Sequence, residues 1–464
     1  VKRGLFLIVT AIIPILSLIN QLEPVGEIVQ LEDLIPELDL PQLGDSMHAL
    51  ITELFPICRS ITGDGMRTTL RAITANIPMT IHEVPSGTEV FDWTVPNEWN
   101  IRDAYIKNAA GERVVDFQQH NLHIVNYSTP IQRRMTLAEL RPHLYSDPQH
   151  PEHIPYRTSY YKETWGFCLS HQQLEQLPDG EYEVLIDSTL APGSLSYGEC
   201  VLPGASSNEV LISAHACHPS LANDNLSGVV VATMLAQLLH KIERRYTYRF
   251  VFIPGTIGSI TWLARNEAIT SQIKHGLVLT CVGDPAPITY KQSRQTNAAI
   301  DRTMQYVLAQ RAAPHTTLAF YPYGYDERQY CSPGFNLPVG VLMRSQHGTF
   351  AEYHSSADNL NFVQPAALAD TLAVLLNVVQ VLEGDRCYLN EKPKCEPRLG
   401  KRGLYGSLGG AHGAGFEQAL LWVLSLSDGQ HSLLAIAERS GLPFATIKRA
   451  ADALATTDLL TVID

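Results

Sequence analysis

Basic side chains are scarce in this sequence. Lys and Arg number 34 against 47 Asp and Glu in 464 residues, leaving a formal net charge of −13 and a pI near 5.7. Tight nucleic-acid binding needs clustered Lys and Arg to neutralise phosphates, so this balance argues against it as the main business of the chain. Charge of either sign is thin, at 17%, while 45% of residues are hydrophobic. Disordered chains show the reverse, so the composition is globular. Compact cysteine spacing is also lacking: Cys58, Cys168, Cys200, Cys217, Cys281, Cys331, Cys387 and Cys395 are scattered over the whole length, which reads as reduced thiols and not a disulfide scaffold. At the N-terminus a membrane-spanning run is wanting. Lys2 and Arg3 precede the apolar run Leu5 to Ile19, but Pro14 interrupts it, it falls short of the about 20 residues a bilayer requires, and no Ala-x-Ala site follows at Asn20 to Glu23. Residues 1–30 are read as an apolar extension that leaves a membrane tether or a signal open, with a cytoplasmic location favoured.

What is present is length and alternation. A chain of 464 residues exceeds one ordinary core, so two or three domains are expected. From Leu31 to Ala75 the pattern is helical, with Met47, Leu50, Ile51 and Leu54 at three- and four-residue spacing. It breaks at Arg59-Ser60-Ile61-Thr62-Gly63-Asp64-Gly65, a turn that opens a further helix. Residues 86–204 change character: Trp93, Trp99, many Tyr, frequent Pro and Gly, and short alternating runs predict an inserted β-rich domain, within which His150 to Tyr161 forms a polar loop able to reach over a site. On either side, 31–85 and 205–395 form one discontinuous α/β domain. Its strands at Val210–Ala214, Tyr248–Ile253, Gly276–Val282 and Pro338–Met343 alternate with helices at Val229–Lys241, Ser259–Ala268, Asn297–Arg311 and Pro365–Leu382. This predicts a mostly parallel sheet with helices on both faces.

The stretch around which this domain is organised is Val210 to Gly228. An apolar run delivers His215, Cys217 and His218 where a strand should end; a polar turn then presents Asp224, and Ser227-Gly228 opens an apolar helix. Imidazole and carboxylate at the carboxyl end of a strand are what a zinc site in an open α/β sheet needs. A core histidine and a helix-capping aspartate account for either residue alone; their conjunction favours a metal site.

The segment His215-Ala216-Cys217-His218-Pro219-Ser220, followed by Asn223-Asp224-Asn225-Leu226-Ser227-Gly228, resembles the co-catalytic zinc aminopeptidases. The match is closer to a subgroup of these, the aminopeptidase-like proteins of bacterial polysaccharide-biosynthesis clusters, which carry an inserted β-rich domain and a C-terminal winged helix. The resemblance covers nearly the whole chain and takes in the Arg59 to Gly65 turn. It implies a metal set of His215, Asp224, Asp284 and His354, the last within Glu352-Tyr353-His354-Ser355-Ser356-Ala357-Asp358, and one or two zinc ions. It implies substrate contacts from Asp326, Arg328 and Gln329, to which the residues themselves add Tyr353 and His347 as candidate donors. The departure from the pattern is Gly255 in Pro254-Gly255-Thr256-Ile257-Gly258-Ser259, where the relatives have the Glu that moves the proton; Cys217 stands where many peptidases have an Asp that orients the first His.

Residues 410–464 predict three short helices and a terminal strand, a winged helix. Its basic residues are Arg439, Lys448 and Arg449 against Glu417, Asp428, Glu438, Asp452, Asp458 and Asp464, so a packing or homo-oligomerising role is favoured over nucleic acid. The reading that follows is a zinc-dependent aminopeptidase-like hydrolase acting on an amide or peptide bond of a small aminoacyl or amino-sugar compound or a peptide. Its alternatives are a degenerate binding protein of the same fold, motivated by Gly255, and a DNA-binding regulator acting through the winged helix.

Overall fold

The computed structural model describes residues 30–404 and 414–463; the apolar run Leu5 to Ile19 lies outside them. The chain divides into two units, Val1–Ala299 with Pro314–Ala373, and Ile300–Ala313 with Val374–Asp464.

The first unit is built on one eight-stranded sheet in the order Thr80–Pro85, Ser194–Leu202, Thr247–Ile253, Glu209–His215, Ile273–Leu279, Val339–Met343, Ile288–Lys291, His315–Leu318. Its four middle strands run parallel, and antiparallel pairings flank them. All seven residues of Glu209–His215 are buried, as a strand covered on both faces requires, and this explains its unbroken apolar pattern. The helix that follows, Gly228–Leu239, is apolar on nearly every side and buried along nearly all its length, so it lies inside the unit rather than on its surface. Leu40–Leu54 shows the opposite design: Asp39 caps it by accepting from Gln42 N at 3.1 Å, a proline sits in its first turn, and its apolar stripe of Met47, Leu50, Ile51 and Leu54 is buried.

Between Pro85 and Ser194 the chain leaves the large sheet and forms a second, four-stranded sheet of Arg113–Asp116, Glu98–Lys107, Glu181–Ala191 and Ile131–Thr136. The sequence boundary of 86–204 took in Ser194–Leu202, which instead pairs with Thr80–Pro85 and Thr247–Ile253 in the large sheet. Its burial pattern alternates only weakly, so period alone could not assign it to either sheet. The strands Ile288–Lys291 and His315–Leu318 also went unpredicted; each has four residues, too few for a period to register.

The second unit contains a three-stranded sheet, Asp428–Ser432, Cys387–Asn390 and Leu460–Val462, with helices Ala414–Leu426, Leu433–Ser440 and Phe444–Ala455. This is a winged helix. Its central strand, Cys387–Asn390, precedes the boundary of 410 read from the sequence, because a strand this short joins its sheet only through partners from the C-terminal end. Within this unit Lys448 pairs with Asp452 at 2.7 Å and the Arg449 guanidinium lies over the Phe416 ring.

Candidate metal centre

Parallel strands end on a common edge, and the loops leaving that edge of the large sheet gather the polar residues. Glu209–His215 presents His215 as its last residue. The chain then turns through His218 and an irregular segment, Ala222–Ser227, in which Asp224 and Asn225 leave helical geometry and the peptide bond between them is cis. The loop after Val339–Met343 returns with His354, whose backbone sits at φ 53.

These loops bring three imidazoles onto one carboxylate. His215 Nε2 donates to Asp224 Oδ1 at 2.9 Å, His218 Nδ1 lies 3.4 Å from Asp224 Oδ2, and His354 Nε2 lies 3.0 Å from the same oxygen. Neither Asp224 Oδ2 nor His354 Nε2 has a partner in hydrogen-bonding alignment, although both atoms are buried. A buried polar atom left unpaired is costly, and here two converge on one point, as they would around a cation. His215, His218 and Asp224 offer ligand atoms all within 4.8 Å of one another. Burial holds the His215 pKa down at about 4, so its imidazole is neutral. Burial opposes the ionised form of Asp224, but the His218 charge and the imidazole hydrogen bonds outweigh it and keep the carboxylate ionised. Burial keeps His215 and His354 neutral, and with the ionised Asp224 carboxylate they are donors that a divalent metal takes, in exchange for the proton that Asp224 favours on His218; the residues fit a zinc ion on that ground.

A second layer holds these donors. Asp358 accepts from Asn223 N at 2.6 Å and Asp224 N at 2.9 Å, fixing the irregular turn, and burial raises its pKa to about 7. Asp326 Oδ1 accepts from Thr256 N at 2.7 Å and Ser259 Oγ at 2.9 Å. Its Oδ2, buried and without a hydrogen bond, stands 3.9 Å from His215 Nδ1. Arg59, fully buried, donates through Nε to His218 O at 2.9 Å; the Arg59 to Gly65 turn is therefore a support for the metal loop. Gly65 is there because a Cβ would meet Cys58 O at 1.9 Å. The loop His150 to Tyr161 does reach the site. Tyr156 N donates to His354 O at 2.7 Å, its ring lies edge-on to His218 and His354, and its hydroxyl meets Tyr160 at 2.6 Å.

The structure thus brings together His215, Asp224 and His354 and adds His218, to which the sequence reading gave no ligand role; its signal was a second imidazole three residues after the first at the strand end. Asp284 is not among them. Its oxygens accept from Asn223 Nδ2, Ser345 N, Ser345 Oγ and Ala286 N, between 2.8 and 3.1 Å, which occupies the carboxylate and ties the Asn223 turn to a neighbouring loop. Asp326 was expected to touch substrate, yet it is fully buried behind His215. Arg328 is exposed on the short helix Glu327–Tyr330, and no hydrogen bond or ion pair joins it or Gln329 to the cluster among the described residues. Tyr353 stacks on His354, with ring centroids 4.0 Å apart. Position 255 has its own explanation: a Cβ there would lie 2.0 to 2.1 Å from Tyr325 ring atoms. The tyrosine ring fills the volume that a carboxylate side chain would need. The Tyr325 hydroxyl approaches Cys217 Sγ at 3.8 Å, and that thiol, pushed up to about 12 by burial, is protonated and accepts from Gly255 N.

A family model described as a domain of unknown function (DUF4910) matches residues 48–385, and a winged helix-turn-helix model matches residues 386–462. A protein of Clostridium acetobutylicum named for polysaccharide biosynthesis and an aminopeptidase-like domain is 51% identical over 423 residues, covering 91% of this chain and 97% of that protein. A crystal structure from the same organism, titled as a peptidase, matches with a TM-score of 0.89 at 49% identity, over 93% of this chain and all of the other. A zinc aminopeptidase from Bacillus subtilis shares the fold, with a TM-score of 0.54 at 10% identity over 73% of this chain and 95% of its own.

Proposed function

Because the chain belongs to this family of aminopeptidase-like proteins of polysaccharide biosynthesis, we propose that it is a zinc-dependent hydrolase of an amide or peptide bond in a small aminoacyl or amino-sugar compound. The observation that carries the reading is the convergence of His215, His218 and His354 on the buried Asp224 carboxylate. His215, His218 and Asp224 would hold one cation, with His354 completing the set from the rim. Zinc bound there supplies a polarised carbonyl and a water of lowered pKa. The remaining work belongs to the chain. Asp358 holds the Asp224 backbone. Asp326 Oδ2 faces the far nitrogen of His215 and would fix which nitrogen carries the proton, the carboxylate–histidine relation that position 217, being cysteine, does not supply. Tyr156 closes one flank, its ring packed edge-on against His218 and His354.

A second reading, a binding protein without turnover, has its own observation in the Tyr325 ring that occupies the side-chain space of position 255. One experiment separates the two. The purified chain is analysed for zinc and assayed on a panel of aminoacyl amides and N-acyl amino sugars, before and after chelation. About one zinc per chain, with hydrolysis lost on chelation and restored by zinc, is expected. Zinc without turnover on any member selects the binding protein, and absence of zinc ends both.

A further inference from the structure

A cleft of about 280 Å³ opens beside His354, with Tyr353 and Phe350 on one flank and His150, His153 and Arg157 on the other. The His354 side chain is 34% exposed, whereas those of His215, His218 and Asp224 are at 5% or less. Among the described residues this cleft is therefore where the metal-binding set meets solvent. The flank carrying Arg157 is fixed to the metal loop. Ile154 N donates to Ser356 Oγ and Ser356 N to Ile154 O, both at 2.9 Å, and Arg157 O accepts from Asn126 N at 2.8 Å.

The cleft carries one basic side chain, Arg157, and one acidic, Asp147, whose carboxyl the His150 hydrogen bond holds ionised with help from Arg157. Its carboxylate, Asp147, is already engaged: one oxygen accepts from His150 Nδ1 at 2.8 Å and the other from Gln149 N at 3.0 Å. Arg157 is exposed and forms no ion pair or side-chain hydrogen bond among the described residues. His153 stacks on His150 with Nδ1 3.5 Å from Ser355 Oγ, whose own proton goes to Glu352 O at 2.9 Å, and its Nε2 forms no hydrogen bond among the described residues, which leaves that edge to meet a ligand. A free ammonium would find no unengaged carboxylate in this lining. A carboxylate or phosphate would find a guanidinium whose planar fork suits it, with an imidazole nearby.

We propose that the cleft binds an anionic group, a carboxylate or a phosphate, of the molecule the metal centre receives, with Arg157 as its charge partner and His153 as a hydrogen-bond donor. Only the fate of the bound molecule rests on the hydrolase reading; the anion site does not. The test is calorimetric titration of the chelator-treated full chain at neutral pH with inorganic phosphate, N-acetylglycine and glycinamide, in the native protein and in Arg157→Gln, with thermal midpoints confirming that the exposed substitution leaves the fold intact. At least one anion should bind, about tenfold or more weakly in Arg157→Gln, and glycinamide should not. Phosphate alone binding assigns a phosphoryl group, N-acetylglycine alone a carboxylate, and both together the charge they share. No anion binding by the native chain, equal affinity in Arg157→Gln, or a preference for glycinamide overturns the proposal. With the metal removed, a zinc–phosphate contact cannot imitate the result, and zinc content and turnover judge the hydrolase reading separately.

Discussion

At the residue scale, Asp224 is where capping and metal binding make different demands of one side chain. Asp224→Asn keeps size and hydrogen-bonding capacity but removes the charge that three imidazoles surround. Zinc affinity measured by chelator competition should fall by orders of magnitude. As a cap alone, asparagine would serve nearly as well and leave zinc untouched. Asp326→Asn tests the layer behind. Loss of a carboxylate that orients a ligand imidazole typically costs about 10- to 100-fold in metal affinity. Because burial holds the Asp326 pKa near 7, the neutral amide should leave the metal-free thermal midpoint in place. A fall in the midpoint with zinc affinity unchanged would make Asp326 a structural residue only. Both sites were named from the sequence, but the resemblance assigned Asp326 to substrate, and a polar loop run does not by itself say which of its members faces inward.

Elements carry two further expectations. The strand end at Ile253 and the loop holding Tyr325 interlock at position 255, so Gly255→Ala should destabilise by about 1–3 kcal/mol through overpacking. In a double-mutant cycle with Tyr325→Ala most of that cost should vanish; additive midpoints would show that the ring is not the obstacle. The same geometry predicts that Gly255→Glu alone fails to restore a peptidase carboxylate. The strand Ile273–Leu279 carries His275, 6% exposed, which burial, with the neighbouring Arg245 and Lys274 charges, holds down at about 4. Its folded pKa lies below its unfolded value of about 6.5, so the unfolded chain takes the proton first. The resulting stability is present above pH 6.5 and is lost as pH falls toward 4, about 3 kcal/mol in all. His275→Leu should flatten that part of the stability–pH curve, and an unchanged slope would show that the histidine does not cause it.

For the whole molecule, the division of labour is between an aminopeptidase-like unit that holds the donors and a winged helix whose third helix has both of its basic side chains engaged. On the third helix of the winged unit, Lys448 is paired with Asp452 and Arg449 covers Phe416. Duplex DNA titration at physiological salt should therefore show no binding tighter than the non-specific range of about 10⁻⁴ to 10⁻⁶ M. Salt-sensitive binding well below that range would revive the regulator reading. Among the described residues one helix, Pro365–Gly384, is long and apolar enough to cross a membrane, and 67% of its most apolar stretch is buried.

The sequence by itself determined the α/β class, the winged helix and the end of the strand at which His215 and Asp224 would stand. Each of these is written locally, in a buried apolar run followed by a polar turn and an apolar helix, or in helices at regular spacing. Only the tertiary structure decided which distant residues complete the set. His354, already implied by the resemblance, joins the cluster and so does His218, while the Asp284 carboxylate is occupied by four hydrogen bonds from three residues. Asp326 lies behind His215 from a loop far along the chain. The glycine at 255, which in sequence is only a missing glutamate, proves in space to be the clearance required by Tyr325. The reason is common to all of these: a side chain's role depends on what its atoms face, and neighbours supplied by other strands of the sheet leave no periodicity in the residues that receive them.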